Sequence, residues 1–175
     1  MSTLTIILNV VLFQLGWFAC VLGAAFGLPW ISVLAAAGIV AWHLARAPRS
    51  AREMVLVCVA IVVGAVFETL LLQSGWVRFE TGVLIEGTAP YWMVALWAIF
   101  ATTLNVSLRP LRSHLWLGAL LGVVGGPVAY YAGAGLGAME LAAVAPALTA
   151  IGFGWAILTP ALLCVARRFD GYAKP

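Results

Sequence analysis

The feature that most constrains the fold is a succession of apolar runs, each close to the length that crosses a lipid bilayer. Six such runs lie at residues 4–25, 30–45, 52–74, 91–108, 114–135 and 140–166. A helix needs about 20 apolar residues to cross roughly 30 Å of hydrocarbon. Charged residues make up only 9% of the chain, too few to cover a soluble globule. The sequence therefore predicts a single all-α domain over residues 1–175, a polytopic membrane helix bundle with six transmembrane helices.

The basic residues predict how these helices are oriented. Eight of the nine Lys and Arg residues fall in segments that six crossings would place on one side of the membrane. They are Arg46, Arg49 and Arg52, then Arg109 and Arg112, and finally Arg167, Arg168 and Lys174. Short loops rich in Arg and Lys stay in the cytoplasm. We therefore expect both termini in the cytoplasm, the arrangement called N-in/C-in.

Glu68 is the first candidate for a functional residue. It lies in an apolar stretch, about 9 Å from the predicted outer end of the third span. A carboxyl group in hydrocarbon must be protonated or hydrogen-bonded, so Glu68 predicts either a functional site or a neutral cross-link between helices. Other side chains at a similar depth could line a ligand-binding pocket with it: Trp17, Gln73, Trp97, Tyr130 and Tyr131. Shared depth does not establish that all of them face one cavity.

A second polar layer is predicted nearer the cytoplasmic side. It consists of Asn9, Thr102, Asn105 and Thr159, each within about 12 Å of the predicted inner surface. Such side chains commonly form hydrogen bonds between membrane helices. Structural cross-linking is therefore favoured over a binding site for this layer.

The fifth apolar run combines a small-residue face with a helix breaker. Gly118, Gly122 and Gly126 recur at a spacing of four and predict close packing against another helix. Gly125 and Gly126 precede Pro127, which removes a backbone donor and clashes with the preceding turn. We expect a kink or break there, which in transporters can expose backbone groups to a substrate.

Several functional classes are disfavoured by what the sequence contains. The two histidines, His43 and His114, have no metal-ligating neighbour at the following turn, so no metal site and no cofactor is predicted. The chain carries no recognisable catalytic motif, which disfavours an enzyme and assigns no catalytic residue. Its basic residues form no continuous stripe, so no nucleic-acid partner is expected.

Four segments resemble a known family. They are LFQLGWFACVLGA at 12–24, residues 92–97, FATTLNVSLR at 100–109 and GGPVAYYAGAGLGA at 125–138. Together they are similar to a family of small bacterial inner-membrane proteins known as domain of unknown function 2878. The resemblance implies a multi-pass protein of the bacterial inner (plasma) membrane. It implies no activity, and no functional residue can be carried over from it.

Three hypotheses about function follow. The first is non-catalytic binding or transport of a lipid or another hydrophobic small molecule in a pocket around Glu68. The second is a membrane-embedded lipid-modifying enzyme that uses Glu68 as acid or base, with Tyr130 or Tyr131 beside it. The third is an accessory subunit whose small-residue faces dock a membrane protein partner, or a homo-oligomer. Membrane lipids are partners in all three.

Overall fold

The chain folds into six α-helices in the computed structural model, which describes residues 2–173. Their bounds are α1 (Thr3–Ala25), α2 (Trp30–Arg46), α3 (Ser50–Gln73), α4 (Tyr91–Leu104), α5 (Leu115–Gly135) and α6 (Val144–Arg168). A short 3-10 helix (Arg109–Ser113) joins α4 to α5. Two-residue strands, β1 (Val77–Arg78) and β2 (Glu140–Leu141), pair antiparallel in the connectors that follow α3 and α5. The prediction of six helices in an all-α fold is confirmed.

Four of the helices have the length and composition of membrane spans. These are α1, α3, α5 and α6, with 21 to 25 residues each and apolar side chains over most of their surfaces. The helices α2 and α4 are also apolar, but they have only 17 and 14 residues. Six membrane crossings and the N-in/C-in orientation therefore stay predictions.

The helix α4 forms the centre of the bundle. It packs against α1, α2 and α3, and ten of its 14 residues are buried. Trp92, Trp97 and Ile99 are among the largest fully buried side chains of the described chain. Because α4 is covered by other helices, its apolar residues contribute to the protein core and little of their surface faces outward.

The small-residue face of α5 packs against α6. A Cβ atom at Gly118 or Gly126 would lie 2.7 Å from Leu163 or from the Trp155 indole, respectively. A Cβ atom at Gly122 would collide with the backbone carbonyl of Trp155. The spacing of these glycines thus lets two helices approach closely within one chain. This face is covered by α6, so it does not offer a docking surface to another protein.

Two helices are shorter at one end than the spans predicted for them. The helix α4 ends at Leu104, four residues before the predicted end of span 4, because Asn105 adopts the C-cap position and its side chain joins a polar cluster. The last helix begins at Val144, and not at residue 140, because Glu140 and Leu141 pair with β1.

The helix α5 is continuous from Leu115 to Gly135, so Pro127 does not break it, and the expected kink at Gly125, Gly126 and Pro127 stays a prediction. Pro127 cannot donate to the carbonyl of Val123, one turn earlier. That carbonyl oxygen and the Pro127 ring both lie 3.4 Å from the position that a Cβ atom of Gly152 would occupy. The missing side chain at Gly152 on α6 therefore makes room for the proline within an unbroken helix.

Candidate functional site

A cavity of about 660 Å³ lies between α1, α4, α5 and α6, and α3 contributes Glu68 to its wall. Its volume falls within the range of about 300–1,000 Å³ that is typical of small-molecule sites. Most of its wall is apolar, and seven of the lining side chains are aromatic. These are Phe13, Trp17, Trp92, Trp97, Phe100, Tyr130 and Trp155.

Glu68 is fully buried at the wall of this cavity. The indole Nε1–H of Trp97 donates a hydrogen bond to its Oε1 at 2.9 Å, and the hydroxyl of Tyr130 donates to the same oxygen. The other oxygen, Oε2, has no hydrogen-bond partner. Hydrogen bonds from α4 and α5 thus fix the carboxyl group of Glu68 on α3 by one oxygen, and the second oxygen is buried without a partner among the described residues.

Three buried side-chain atoms lack a hydrogen-bond partner among residues 2–173, and all three belong to residues that line this cavity. They are Oε2 of Glu68, Nε1 of Trp155 and Oγ1 of Thr159. Buried polar groups in folded proteins are normally paired with protein, water or ligand. All three therefore depart from this rule at one and the same cavity.

Two stacked indoles form part of the cavity wall. The rings of Trp97 and Trp155 lie 4.7 Å apart and are inclined by 20°. Glycines make the space that they occupy, because a side chain at Gly64 would collide with Trp97 and one at Gly126 would lie 2.7 Å from Trp155. The glycines on α3 and α5 thus position the two aromatic rings beside Glu68.

The cavity has a mouth between α1 and α5. Both helices line the cavity, yet they do not pack closely against each other. Val10 on α1 and Leu121 and Val128 on α5 line the cavity while remaining 49%, 44% and 62% exposed. The polar side chain of Gln14 is exposed at the same mouth. The cavity therefore opens at the side of the bundle between mostly apolar residues.

The structure brings together four of the six predicted pocket residues, since Trp17, Glu68, Trp97 and Tyr130 line the same cavity. The expectation is wrong for Tyr131, which is 63% exposed because one residue along a helix turns by about 100°. It is also wrong for Gln73, which follows Glu68 by five residues and is exposed at the helix end. Its amide donates to the carbonyl of Gly87 at 3.3 Å.

The predicted inner polar layer separates into different environments. Asn9 donates to the Thr102 carbonyl at 3.1 Å and accepts from the Ser107 hydroxyl at 2.7 Å, so it joins α1 to α4 and to the turn that follows α4. The Thr102 hydroxyl donates to a carbonyl of its own helix. Thr159 lines the cavity instead, and Asn105 belongs to a separate cluster.

That separate cluster fixes residues 169–172 to the end of the bundle that carries most of the basic residues. Glu53 is fully buried and accepts hydrogen bonds from His43 Nε2 at 2.9 Å, from Asn105 at 2.8 Å and from the Gly171 amide at 2.7 Å. Next to it, Asp170 forms ion pairs of 2.8 Å with two arginines of the 3-10 helix, Arg109 and Arg112. The residues 169–172 are therefore part of the folded domain.

Tyr172 completes this cluster at the edge of the bundle. Its hydroxyl donates to the carbonyl of His43 at 2.8 Å. Burial raises the pKa of Tyr172 from its usual 10.0 to about 12, and the charge of Glu53 adds to this effect. Within the described residues, no group of three or more His, Cys, Asp or Glu side chains is arranged to hold a metal ion.

Sequence reasoning missed several residues of the two sites. Gln14 and Trp155 line the cavity, and their only signal was a polar or bulky side chain within an apolar run. Glu53 and Asp170 gave no clear signal, because each lies near a predicted helix end, where a solvated charge is the ordinary expectation.

The family model described as "Protein of unknown function (DUF2878)" matches residues 6–161. The chain belongs to this family. No curated protein and no solved structure matches it. Every residue that lines the cavity lies within the matched range, from Val10 to Thr159, whereas the clustered end of the chain, 169–172, lies beyond it. The cavity is thus built entirely from the part of the chain that defines the family.

Proposed function

We propose that this protein binds a lipid or another hydrophobic small molecule in the cavity around Glu68, without changing it chemically. The observation that carries the proposal is that the three buried side-chain atoms without a partner among residues 2–173 all belong to residues that line one largely apolar cavity. An apolar cavity with a few convergent polar groups is the usual form of a small-molecule site. The apolar wall would accommodate the body of the ligand, and Glu68 would fix its polar group.

The proposed setting is the bacterial inner membrane, with six crossings and both termini in the cytoplasm. Four helices have the required length and apolar surface. In this setting the short helices α2 and α4 also cross the membrane. The helix α4 is surrounded by other helices, so it would cross within the protein and not within lipid. The ion pairs of Asp170 with Arg109 and Arg112 support this arrangement, because two crossings by α5 and α6 would return residue 170 to the end of the bundle where the 3-10 helix lies.

The mouth between α1 and α5 supports binding from the bilayer. Its exposed residues are apolar, so a hydrophobic molecule could move from the lipid into the cavity without crossing water. Release through the same mouth would make the protein a reservoir or carrier for such a molecule.

A lipid-modifying enzyme is the second candidate. The contact between the Tyr130 hydroxyl and Glu68 favours it, because a phenol and a carboxyl group within hydrogen-bond distance can exchange a proton. In that case, incubation with the bound lipid would produce a changed mass, whereas simple binding returns the ligand unchanged.

A cavity-filling variant tests the proposed function. Gly125 lines the cavity, and a Cβ atom there would only touch Leu121 at 3.9 Å, so Gly125→Phe should fill the cavity without disturbing the packing of α5 on α6. Gly38→Phe is the matched control, because that glycine faces open space in α2. Native mass spectrometry of proteins purified in mild detergent would measure bound lipid.

We expect bound lipid on the wild-type protein and on Gly38→Phe, and loss of that lipid from Gly125→Phe. Equal retention by all three proteins, or retention by none of them, would contradict the proposal.

A further inference from the structure

Glu68 differs from the other buried acids of the described chain in having no basic side chain as a partner. Glu53 lies 2.9 Å from the imidazole of His43, and Asp170 lies 2.8 Å from the guanidinium groups of both Arg109 and Arg112. Around Glu68, the hydrogen-bond donors are the neutral indole of Trp97 and the neutral phenol of Tyr130. A buried carboxylate is ordinarily paired with a cation. Among residues 2–173, no basic side chain is paired with Oε2 of Glu68.

The composition of the cavity wall determines which ligands could supply the missing partner. None of the described residues that line the cavity is Lys, Arg or His, so a phosphate or carboxylate group would meet no positive charge there. Seven aromatic side chains surround the same space. Aromatic faces attract cations, and sites with several aromatic rings recognise ammonium groups.

We propose that the ligand is a lipophilic amine: an apolar molecule whose protonated amino group pairs with the free Oε2 of Glu68 among the aromatic side chains. This inference rests on the proposed function, because it assigns the chemical class of the ligand in the same cavity. The apolar body of the amine lies toward the mouth, between Val10 and Val128. An anionic lipid headgroup does not fit this site.

The experiment uses the full-length protein in nanodiscs of phosphatidylcholine and three probes with the same twelve-carbon chain. The probes are dodecylamine, dodecan-1-ol and dodecanoic acid, which differ in the polar group and in its charge. Four tryptophans line the cavity, namely Trp17, Trp92, Trp97 and Trp155, so intrinsic fluorescence reports on occupancy. We expect saturable binding of the amine that is at least about tenfold tighter than binding of the alcohol, with the acid weakest.

Replacing the carboxyl group should remove this preference. In Glu68→Gln, the amine and the alcohol should bind with similar affinity, because the amide carries no charge. Glu86→Gln is the matched control; it makes the same chemical change at an exposed position outside the cavity and should keep the preference of the wild-type protein. The comparison of amine with alcohol on the wild-type protein does not depend on how well a variant folds.

The outcomes separate this inference from the proposed function. If the alcohol or the acid binds the wild-type protein as tightly as the amine, the cavity binds hydrophobic molecules but the assignment to amines is overturned. If Glu68→Gln keeps the preference for the amine, the role given to Glu68 is overturned. If none of the three probes binds saturably, both the inference and the proposed function are contradicted.

Discussion

Replacement of Glu53 by leucine should strongly destabilise the end of the bundle to which residues 169–172 are bound. The carboxylate of Glu53 accepts three hydrogen bonds of 2.7 to 2.9 Å, from His43, from Asn105 and from the backbone amide of Gly171. The side chains of Glu53 and Asn105 are fully buried, and His43 is 1% exposed. Glu53→Leu would therefore remove the acceptor of all three hydrogen bonds and leave three N–H donors unpaired in the protein interior.

The magnitude follows from these contacts. Each buried donor left unpaired costs about 1–3 kcal/mol, which gives about 3–9 kcal/mol if the structure does not adjust. Detachment of residues 169–172 would let the Gly171 amide reach water and would lower this cost. Removal of one member of a buried charged cluster typically costs about 3–5 kcal/mol, and we expect the free energy of unfolding to fall by that amount.

Thermal unfolding in mild detergent, followed by circular dichroism, would measure the loss, and hydrogen exchange would follow the Gly171 amide. Glu86→Leu is the control, because it removes a carboxylate from an exposed position. We expect a lower unfolding temperature and faster exchange at Gly171 for Glu53→Leu alone. Unchanged unfolding together with unchanged exchange would refute the reasoning.

Three further predictions concern packing, pH and the cavity. Gly122→Ala should lower the free energy of unfolding by about 1–3 kcal/mol in thermal melts, because its Cβ would collide with the backbone of α6, whereas Gly125→Ala should be close to neutral. Because the pKa of Tyr172 is raised in the folded protein, its phenol contributes to stability below pH 10.0, and this contribution is lost as the pH rises to about 12. Tyr172→Phe should therefore lose less stability than the wild-type protein over that pH interval in thermal melts. Tyr130→Ala should reduce lipid retention in native mass spectrometry, and Tyr131→Ala should leave it unchanged, because only the first side chain lines the cavity.

The helices were predictable because the physics of their formation is local. Runs of about 20 apolar residues, separated by charged or Pro- and Gly-containing segments, determine where each helix lies. The β1–β2 pair was not predictable, since each strand has two residues and forms only when distant connectors meet. The early end of α4 likewise depends on the tertiary contact between Asn105 and Glu53.

The candidate site was predictable in part for the same reason. A carboxyl group in the middle of an apolar run has to find partners, so Glu68 stands out in the sequence without any structure. Depth along the helices gave Trp17, Trp97 and Tyr130 as neighbours, but depth carries no information about rotation. Tyr131 shares the depth of Tyr130 and faces outward, and only helix packing decides between them.

Photo-crosslinking inside a bilayer tests the central claim most directly. A lipid amine with a diazirine in its chain would be activated in nanodiscs, and labelled positions would be mapped by mass spectrometry. Met93 and Trp97 are at most 4% exposed and line the cavity, so lipid can reach them only from within it. We predict labelling of these two residues in the wild-type protein and its loss in Gly125→Phe. Labelling confined to outward-facing residues such as Tyr131, with Met93 and Trp97 unlabelled, would contradict the account.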